Sequence, residues 1–340
     1  MQWKPHSNWK VIETLDGHTA GETLRMITDG LPDIPGDTIL QKRRYFCHHF
    51  DAIRTGLMWE PRGHADMYGA VITEPVTEDG DFGVFFLHNE GYSTMCGHAI
   101  IALAKMTLDT GMVEKDGERP EIKMDTPAGQ VKATAFRRNG KVQRVSFLNV
   151  PSFVYLKDQR IRVPDLGWVN YDIGFGGAFY AFCQAGELDV ILKPKDYERL
   201  IFLGRSIKKA IMDSVDIKHP FEEELGFLYG TIITGPPEKP FNHSRNVCVF
   251  ADGEVDRSPT GTGVSARAAI HHSRGEMKKG ETLVIESIIG TEFQVSIKEK
   301  IEFGPYTAVI PEVTGEASIT GKHKFYFDPE DPLKKGFILR

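Results

Sequence analysis

Met95-Cys96-Gly97-His98 is echoed later in the chain by Asp256-Arg257-Ser258-Pro259-Thr260-Gly261-Thr262-Gly263, and the relation between these two stretches decides the fold. Each follows an apolar run with strand character, Phe85-Phe86-Leu87 before the first and Val247-Cys248-Val249-Phe250 before the second. Each then passes through a turn-rich segment to a small polar residue and a glycine. A helical pattern follows, Ala99-Ile100-Ile101-Ala102-Leu103-Ala104 in one case and Val264-Ser265-Ala266-Arg267-Ala268-Ala269-Ile270 in the other. A helix N-terminus presents unpaired N–H groups and partial positive charge, so each copy is a candidate anion site. Two such sites facing one another would hold one small acid between a thiol and a hydroxyl.

The echo extends outward in register. Met67-Tyr68-Gly69-Ala70-Val71-Ile72-Thr73 aligns with Leu228-Tyr229-Gly230-Thr231-Ile232-Ile233-Thr234, and Asp125-Thr126-Pro127-Ala128-Gly129 with Glu286-Ser287-Ile288-Ile289-Gly290. A repeat of this length is too long for a solenoid unit and reads as two domains of one fold. Helical spacing of apolar and aromatic residues predicts a helix from Ile39 to Glu60, stopped by Pro61 and Gly63, and the run from Tyr197 to Val215 is its counterpart. Strand character marks Trp9 to Leu15, Lys141 to Phe147 and Thr291 to Ile297. Asp16 to Glu22 reads as a Gly/Thr-rich loop, and Gly174 to Phe182 as one glycine-rich strand. The fold class is therefore α+β: two similar halves, mostly strands, each with two principal helices. The halves are expected at 1–165 and 166–324, with the segment from about 325 to 340 packing back onto the first.

Composition bounds the function. At 340 residues, 41% hydrophobic and 26% charged, the chain suits a soluble globular protein with two ordinary cores. A net charge of -6 without a basic face argues against nucleic acid as a partner. No apolar run reaches the length of a membrane span, and the start Met1-Gln2-Trp3-Lys4-Pro5-His6 is not a signal peptide. Cys47, Cys96, Cys183 and Cys248 are widely spaced with no CxxC pairing, which argues against a disulfide framework or structural zinc and makes a reducing, cytoplasmic setting the expectation. The adjacent pairs His48-His49 and His271-His272 point to different helix faces, so no metal site is expected.

Cys96 is the sharpest candidate for chemistry. A helix dipole is worth about 0.3–1 kcal/mol to a thiolate at an exposed end. One pKa unit is about 1.4 kcal/mol, so stronger activation needs hydrogen bonds from the Gly97 and His98 N–H groups. Free cysteines are more often buried and inert, and that is the expectation for Cys47, Cys183 and Cys248 in their apolar runs. Asp256 reads equally as a ligand for an ammonium group and as a turn cap. Thr260-Gly261-Thr262-Gly263 has side chains small enough for an anion nest. His98 is either a hydrogen-bonding or relay group, or a helix-end residue facing solvent.

Together, Glu60-Pro61-Arg62-Gly63-His64-Ala65-Asp66-Met67, Met95-Cys96-Gly97-His98, Asp172-Ile173-Gly174-Phe175-Gly176-Gly177 and Asp256 to Gly263 resemble the proline racemase superfamily over most of the chain. The resemblance implies two similar halves as in diaminopimelate epimerase, with a cofactor-free site in the cleft between them. In the racemases and 4-hydroxyproline epimerases both motif positions are cysteine. Here the second is Thr260, whose hydroxyl is far too weakly acidic to exchange protons near neutral pH. The Cys/Thr pair instead looks like the trans-3-hydroxy-L-proline dehydratase branch. That branch implies α-proton removal by Cys96, loss of the 3-hydroxyl as water and formation of pyrroline-2-carboxylate. It further implies that Gly97, His98, Gly261 and Thr262 bind the substrate, with their N–H groups largely on its carboxylate, and that Asp256 receives the ring ammonium. The change from cysteine to Thr260 itself suggests that Thr260, or His98, hydrogen-bonds the departing hydroxyl. The cleft is then expected to close and exclude water. The partner so implied is a small imino acid; a homodimer is compatible with the sequence, which is silent on assembly. The rival readings are a racemase or epimerase using a water on the second face, and a non-catalytic amino-acid-binding protein. Acyl transfer through Cys96 ranks below both for want of a Cys-His-Asn pattern.

Overall fold

The computed structural model describes residues 3–339, and one series of elements runs through them twice. The first pass is β1 (Lys10–Thr19), β2 (Glu22–Asp29), α1 (Ile39–Met58), β3 (Tyr68–Thr73), β4 (Phe82–His88), β5 (Tyr92–Ser93), α2 (Gly97–Asp109), β6 (Glu121–Thr126), β7 (Gly129–Arg138), β8 (Lys141–Leu148) and β9 (Ser152–Val163). The second keeps the order: β10 (Gly167–Phe175), β11 (Phe179–Gln184), α3 (Tyr197–Met212), β12 (Leu228–Gly235), β13 (Ser244–Phe250), β14 (Glu254–Val255), α4 (Gly261–Ser273), β15 (Thr282–Glu286), β16 (Glu292–Phe303), β17 (Tyr306–Gly315) and β18 (Ala317–Phe327). The aligned carboxylates of the sequence repeat do the same work in both. Asp125 accepts the Val76 and Thr77 N–H groups at 2.8 and 2.9 Å, and Glu286 accepts those of Glu238 and Lys239, both at 2.8 Å.

Among the described residues, the 18 strands are hydrogen-bonded into one sheet wrapped around two helices. α2 packs against β1, β7, β8 and β18, and α4 against β9, β10, β16 and β17. Every residue of α4 from Gly261 to Ile270 is buried, as is almost every residue of α2. A helix covered on all sides is apolar or small on nearly all sides, as both are; the buried Arg267 of α4 is the exception and donates to Asn246 Oδ1 at 2.7 Å. α1 and α3 lie outside the sheet and show only one stripe to it. Thr38 opens α1 by a reciprocal cap: Gln41 N–H donates to Thr38 Oγ1 at 3.1 Å, and Thr38 N–H to Gln41 Oε1 at 3.3 Å.

The last strand of each pass crosses over. β9 runs antiparallel along β10, and β18 along β1. Phe153 and Val163 of β9 therefore line the core beneath α3, while Phe325 and Phe327 of β18 pack beside Ile12 and Phe46 under α1. Beyond β18, Phe337 N–H donates to the Glu60 carbonyl at 2.9 Å. Among the described residues no helix is long and apolar enough to cross a membrane.

Three local expectations change. Asp16 to Glu22 is not a loop: β1 continues to Thr19, and a two-residue turn at Ala20 and Gly21 leads straight into β2. Both turn residues have positive φ, 52° and 94°, the twist that suits a two-residue hairpin. Gly174 to Phe182 is two strands, not one, because Gly177 at φ 106° turns the chain between β10 and β11. Cys47 is exposed rather than in the core. The buried stripe of α1 is Ile39, Phe46, Ile53 and Leu57, and the residue after Phe46 is turned about 100° away from it.

α2 and α4 meet head to head. A Cβ added to Gly97 would lie 2.8 Å from Gly261 Cα, and one added to Gly261 would lie 2.8 Å from Gly97 Cα. Backbone on both sides leaves nothing flexible to give way. Gly261→Ala is expected to destabilise the protein by about 1–3 kcal/mol, seen as a lower urea midpoint at unchanged slope. An unmoved midpoint would mean that the two helix ends part without penalty.

Candidate active site

Cys96 is the residue before α2, in extended backbone (φ -147°, ψ 107°), so its carbonyl accepts the Ile100 N–H at 3.0 Å while its side chain stays at the helix end. His98 Nδ1 lies 3.1 Å from the sulfur. The imidazole is buried, not solvent-facing, and burial pushes its pKa down to about 3, so it is neutral at pH 7. The neighbouring Thr23 backbone opposes that fall. Tyr68 stands edge-on to the same ring, centroids 4.7 Å apart, and its hydroxyl hydrogen-bonds Ser93 and faces the sulfur. The helix end does not leave the thiol activated. Burial pushes its pKa up; the Ala99 N–H, not those of Gly97 and His98, and the Tyr68 hydroxyl pull it down, while Asp256 and Glu22 push it further up.

At the paired end, Thr260 precedes α4 and its carbonyl accepts the Val264 N–H at 2.8 Å. The two ends differ in backbone: Thr260 has φ 69° and ψ 97°, a left-handed conformation that costs a β-branched residue about 1–3 kcal/mol. Its N–H donates to Ser258 Oγ at 3.1 Å. Its hydroxyl is buried with no hydrogen bond of normal geometry, close to the Asp256 carboxylate and the Cys248 thiol. Thr262 Oγ1 pairs with the Tyr180 hydroxyl at 2.7 Å. Asp256 does cap a turn, accepting the Ser258 N–H at 2.7 Å. It is also buried, and burial raises its pKa against the opposing effect of Ser258 and Thr260. Cys183 and Cys248 are buried, as their apolar runs predict.

The sequence-selected residues thus converge from two distant stretches. Cys96, His98, Asp256, Thr260 and Thr262 are each only 4–6% exposed, so the site is enclosed. The sequence reading missed the residues that enclose it. Arg257 N–H donates to Glu22 Oε2 at 2.7 Å, and its guanidinium reaches Asp66 Oδ2 at 3.2 Å. Asp66 also accepts from Tyr197 of α3 at 2.9 Å. Glu22 is fully buried and pushed well above the usual carboxylate range, by burial first and by Asp256 second. Tyr68 marks the repeat and Asp66 lies within the Glu60–Met67 motif, but nothing in the sequence signals their contacts.

Chemically, two convergent helix ends suit a carboxylate, Asp256 suits an ammonium group, and a thiol between them suits proton removal at the carbon that bears both. The sequence model of one family, described as "Proline racemase", matches residues 14–338. The chain belongs to the proline racemase family. It is 49% identical over 342 residues to trans-3-hydroxy-L-proline dehydratase of Colwellia psychrerythraea, with 100% of this chain and 96% of the relative covered. It is 43% identical over 329 residues to a 3-hydroxyproline 2-epimerase of Burkholderia multivorans, covering 97% of this chain and 98% of the relative. The crystal structure of a hydroxyproline epimerase from Agrobacterium vitis, with bound trans-4-hydroxy-L-proline, superposes with a TM-score of 0.90 at 30% identity, over 100% of this chain and 96% of the other. The pseudo-symmetric two-half fold expected from the repeat is the fold of this family.

Alkylation should separate the two kinds of cysteine. With iodoacetamide at pH 7, peptide mass spectrometry is expected to find Cys47 modified first and Cys96 much later, with the Cys96 rate rising as pH rises toward its raised pKa. Fast labelling of Cys96 at pH 7 would show that the thiol is already ionised in the free protein.

Proposed function

We propose that this chain is a trans-3-hydroxy-L-proline dehydratase, a hydro-lyase acting through its own side chains. The observation that carries the reading is the asymmetry of the paired helix ends: a thiol at Cys96 and only a hydroxyl at Thr260. One face of the substrate α-carbon meets a group that can take a proton; the other meets a group that cannot return one. Elimination needs only the first. The near-full-length relative from Colwellia psychrerythraea, which bears that name, supports it.

In this reading the substrate carboxylate lies at the first-turn N–H groups of α2 and α4, contributed by Gly97, His98, Gly261 and Thr262. Their positive ends, pressed together, gain from an anion between them. The ring ammonium lies at Asp256 and opposes the burial that keeps Cys96 protonated, so substrate binding itself favours the thiolate. Cys96 removes the α-proton while the helix-end N–H groups hold the charge growing on the carboxylate. The electron pair forms the Cα–Cβ double bond, the 3-hydroxyl departs as water, and the enamine tautomerises to the imine. His98, neutral at 3.1 Å, orients the sulfur without ionising. Thr260 Oγ1 hydrogen-bonds the 3-hydroxyl and sets its direction of departure.

The 3-hydroxyproline 2-epimerase relative gives the second reading its footing: inversion at the α-carbon by Cys96 and a water on the far face. Incubation with trans-3-hydroxy-L-proline, trans-4-hydroxy-L-proline and L-proline in deuterated buffer, followed by NMR and chiral chromatography, separates the two. Loss of water from the 3-hydroxy compound alone is the expected outcome; inversion of any of the three without water loss would replace the dehydratase by an epimerase. Cys96→Ser should reduce turnover by about 100-fold or more, since a hydroxyl is a far poorer base at this position. Thr260→Ala should slow water loss about tenfold, the worth of about one hydrogen bond, and full activity in this variant would remove Thr260 from the chemistry. Because Cys96 must ionise, kcat/KM is expected to climb with pH on the alkaline side of neutrality, and a profile flat from pH 7 to 10 would contradict the raised thiol.

A further inference from the structure

Hydroxide is a poor leaving group, and an enclosed site must supply the proton with which it becomes water. Thr260 is too weak an acid. His98 is neutral, and its Nδ1 lies 3.1 Å from the Cys96 sulfur. Three buried carboxyl groups lie about Arg257 at this site: Glu22 and Asp66 approach its guanidinium at 3.8 and 3.2 Å, and Asp256 is its chain neighbour. Asp256 must stay ionised to hold the ring ammonium. Asp66 is held by Arg257 and Tyr197. Glu22 differs from both in place and in bonding.

Glu22 opens β2 directly after the Ala20-Gly21 turn, and the hairpin is fastened to His98: Thr19 Oγ1 donates to the His98 carbonyl at 2.7 Å, and the Thr23 backbone is near enough to the His98 ring to act on its pKa. On its other side Glu22 Oε2 takes the N–H of Arg257, the residue next to Asp256. The carboxyl is thus tied directly to the Asp256–Thr260 end through Arg257 and, through its own hairpin, to the Cys96–His98 end, near enough that its ionised form raises the Cys96 pKa. Oε2 is committed as an acceptor; Oε1 is buried with no hydrogen-bond partner. A carboxylic acid so placed carries its proton on the open oxygen. Burial first, then the neighbouring Asp256, keep that proton on.

We propose that Glu22 is the proton donor to the departing 3-hydroxyl, an inference that rests on the dehydratase reading above. The Cys96 thiolate takes the α-proton, the C–H electron pair becomes the Cα–Cβ double bond, and the Cβ–O bond breaks. The oxygen keeps that bond's electron pair and binds the Glu22 proton, leaving as water. Cys96 ends as thiol and Glu22 as carboxylate, and transfer of one proton from the first to the second restores the starting state. No oxidant, reductant or second substrate is consumed.

The test compares wild type with Glu22→Gln, which keeps the size of the side chain and an oxygen for the Arg257 N–H, on two substrates. trans-3-Hydroxy-L-proline needs a proton on its leaving group, and trans-3-chloro-L-proline does not, because chloride departs as the anion. The variant is expected to lose water about 100-fold or more slowly yet to release chloride within about threefold of wild type, with Glu22→Asp recovering part of the dehydration. Unchanged dehydration by Glu22→Gln would overturn the assignment. Equal loss on both substrates would also overturn it, making Glu22 a positioning or folding residue. A wild-type protein that releases chloride but no water fails at the dehydratase reading itself, and the inference falls with it.

Discussion

Two helix N-termini are pressed against each other at the centre of this protein, with Gly97 and Gly261 in contact. Like ends of two dipoles repel, and each brings first-turn N–H groups that no carbonyl of its own helix can satisfy. The rest of the structure depends on holding that contact. Sheet strands cover both helices on all sides, and exchange of β9 and β18 ties the covers together, so neither half can retreat without breaking a long strand ladder. An anion between the helix ends would relieve the repulsion, which is why the proposed site for the substrate carboxylate is the most constrained point of the fold.

Burial then governs the chemistry. Excluding water keeps Cys96 and Glu22 protonated and His98 neutral, the opposite of what an exposed helix end would do to a thiol. A site of neutral groups beside the Asp256 carboxylate becomes reactive when the substrate brings its own positive charge. In the proposed reaction the buried thiol is thus ionised by the molecule on which it acts. Asp66, Glu22, Arg257 and Tyr197 close the site by linking residues that lie far apart in the chain.

The repeat is close in element order and unequal where function lies. Asp125 and Glu286 perform the same backbone task in the two passes, and α2 and α4 begin at equivalent places. At the helix ends themselves the symmetry is dropped: cysteine faces threonine, histidine faces threonine, and the extended backbone of Cys96 faces the left-handed one of Thr260. A symmetric pair of proton-transfer groups suits a reaction that reverses configuration. An unequal pair suits one that takes a proton from one face and breaks a second bond.

The sequence by itself determined the α+β class, the twofold series of elements, both motif helices and the residues at their ends, because these are local signals: apolar spacing, glycine after a small polar residue, and matching runs in the same order. α1 was legible from its spacing, yet the exposed face of Cys47 was not, since an apolar neighbourhood along the chain does not say which way a helix turns. Only the tertiary structure decided that Glu22 and Asp66 belong to the site, because their partner Arg257 is 235 and 191 residues away. It also decided that Cys96 is held as a thiol. A helix dipole can be read from one segment, but the burial that outweighs it is supplied by strands from both halves, and no stretch of sequence contains that sum.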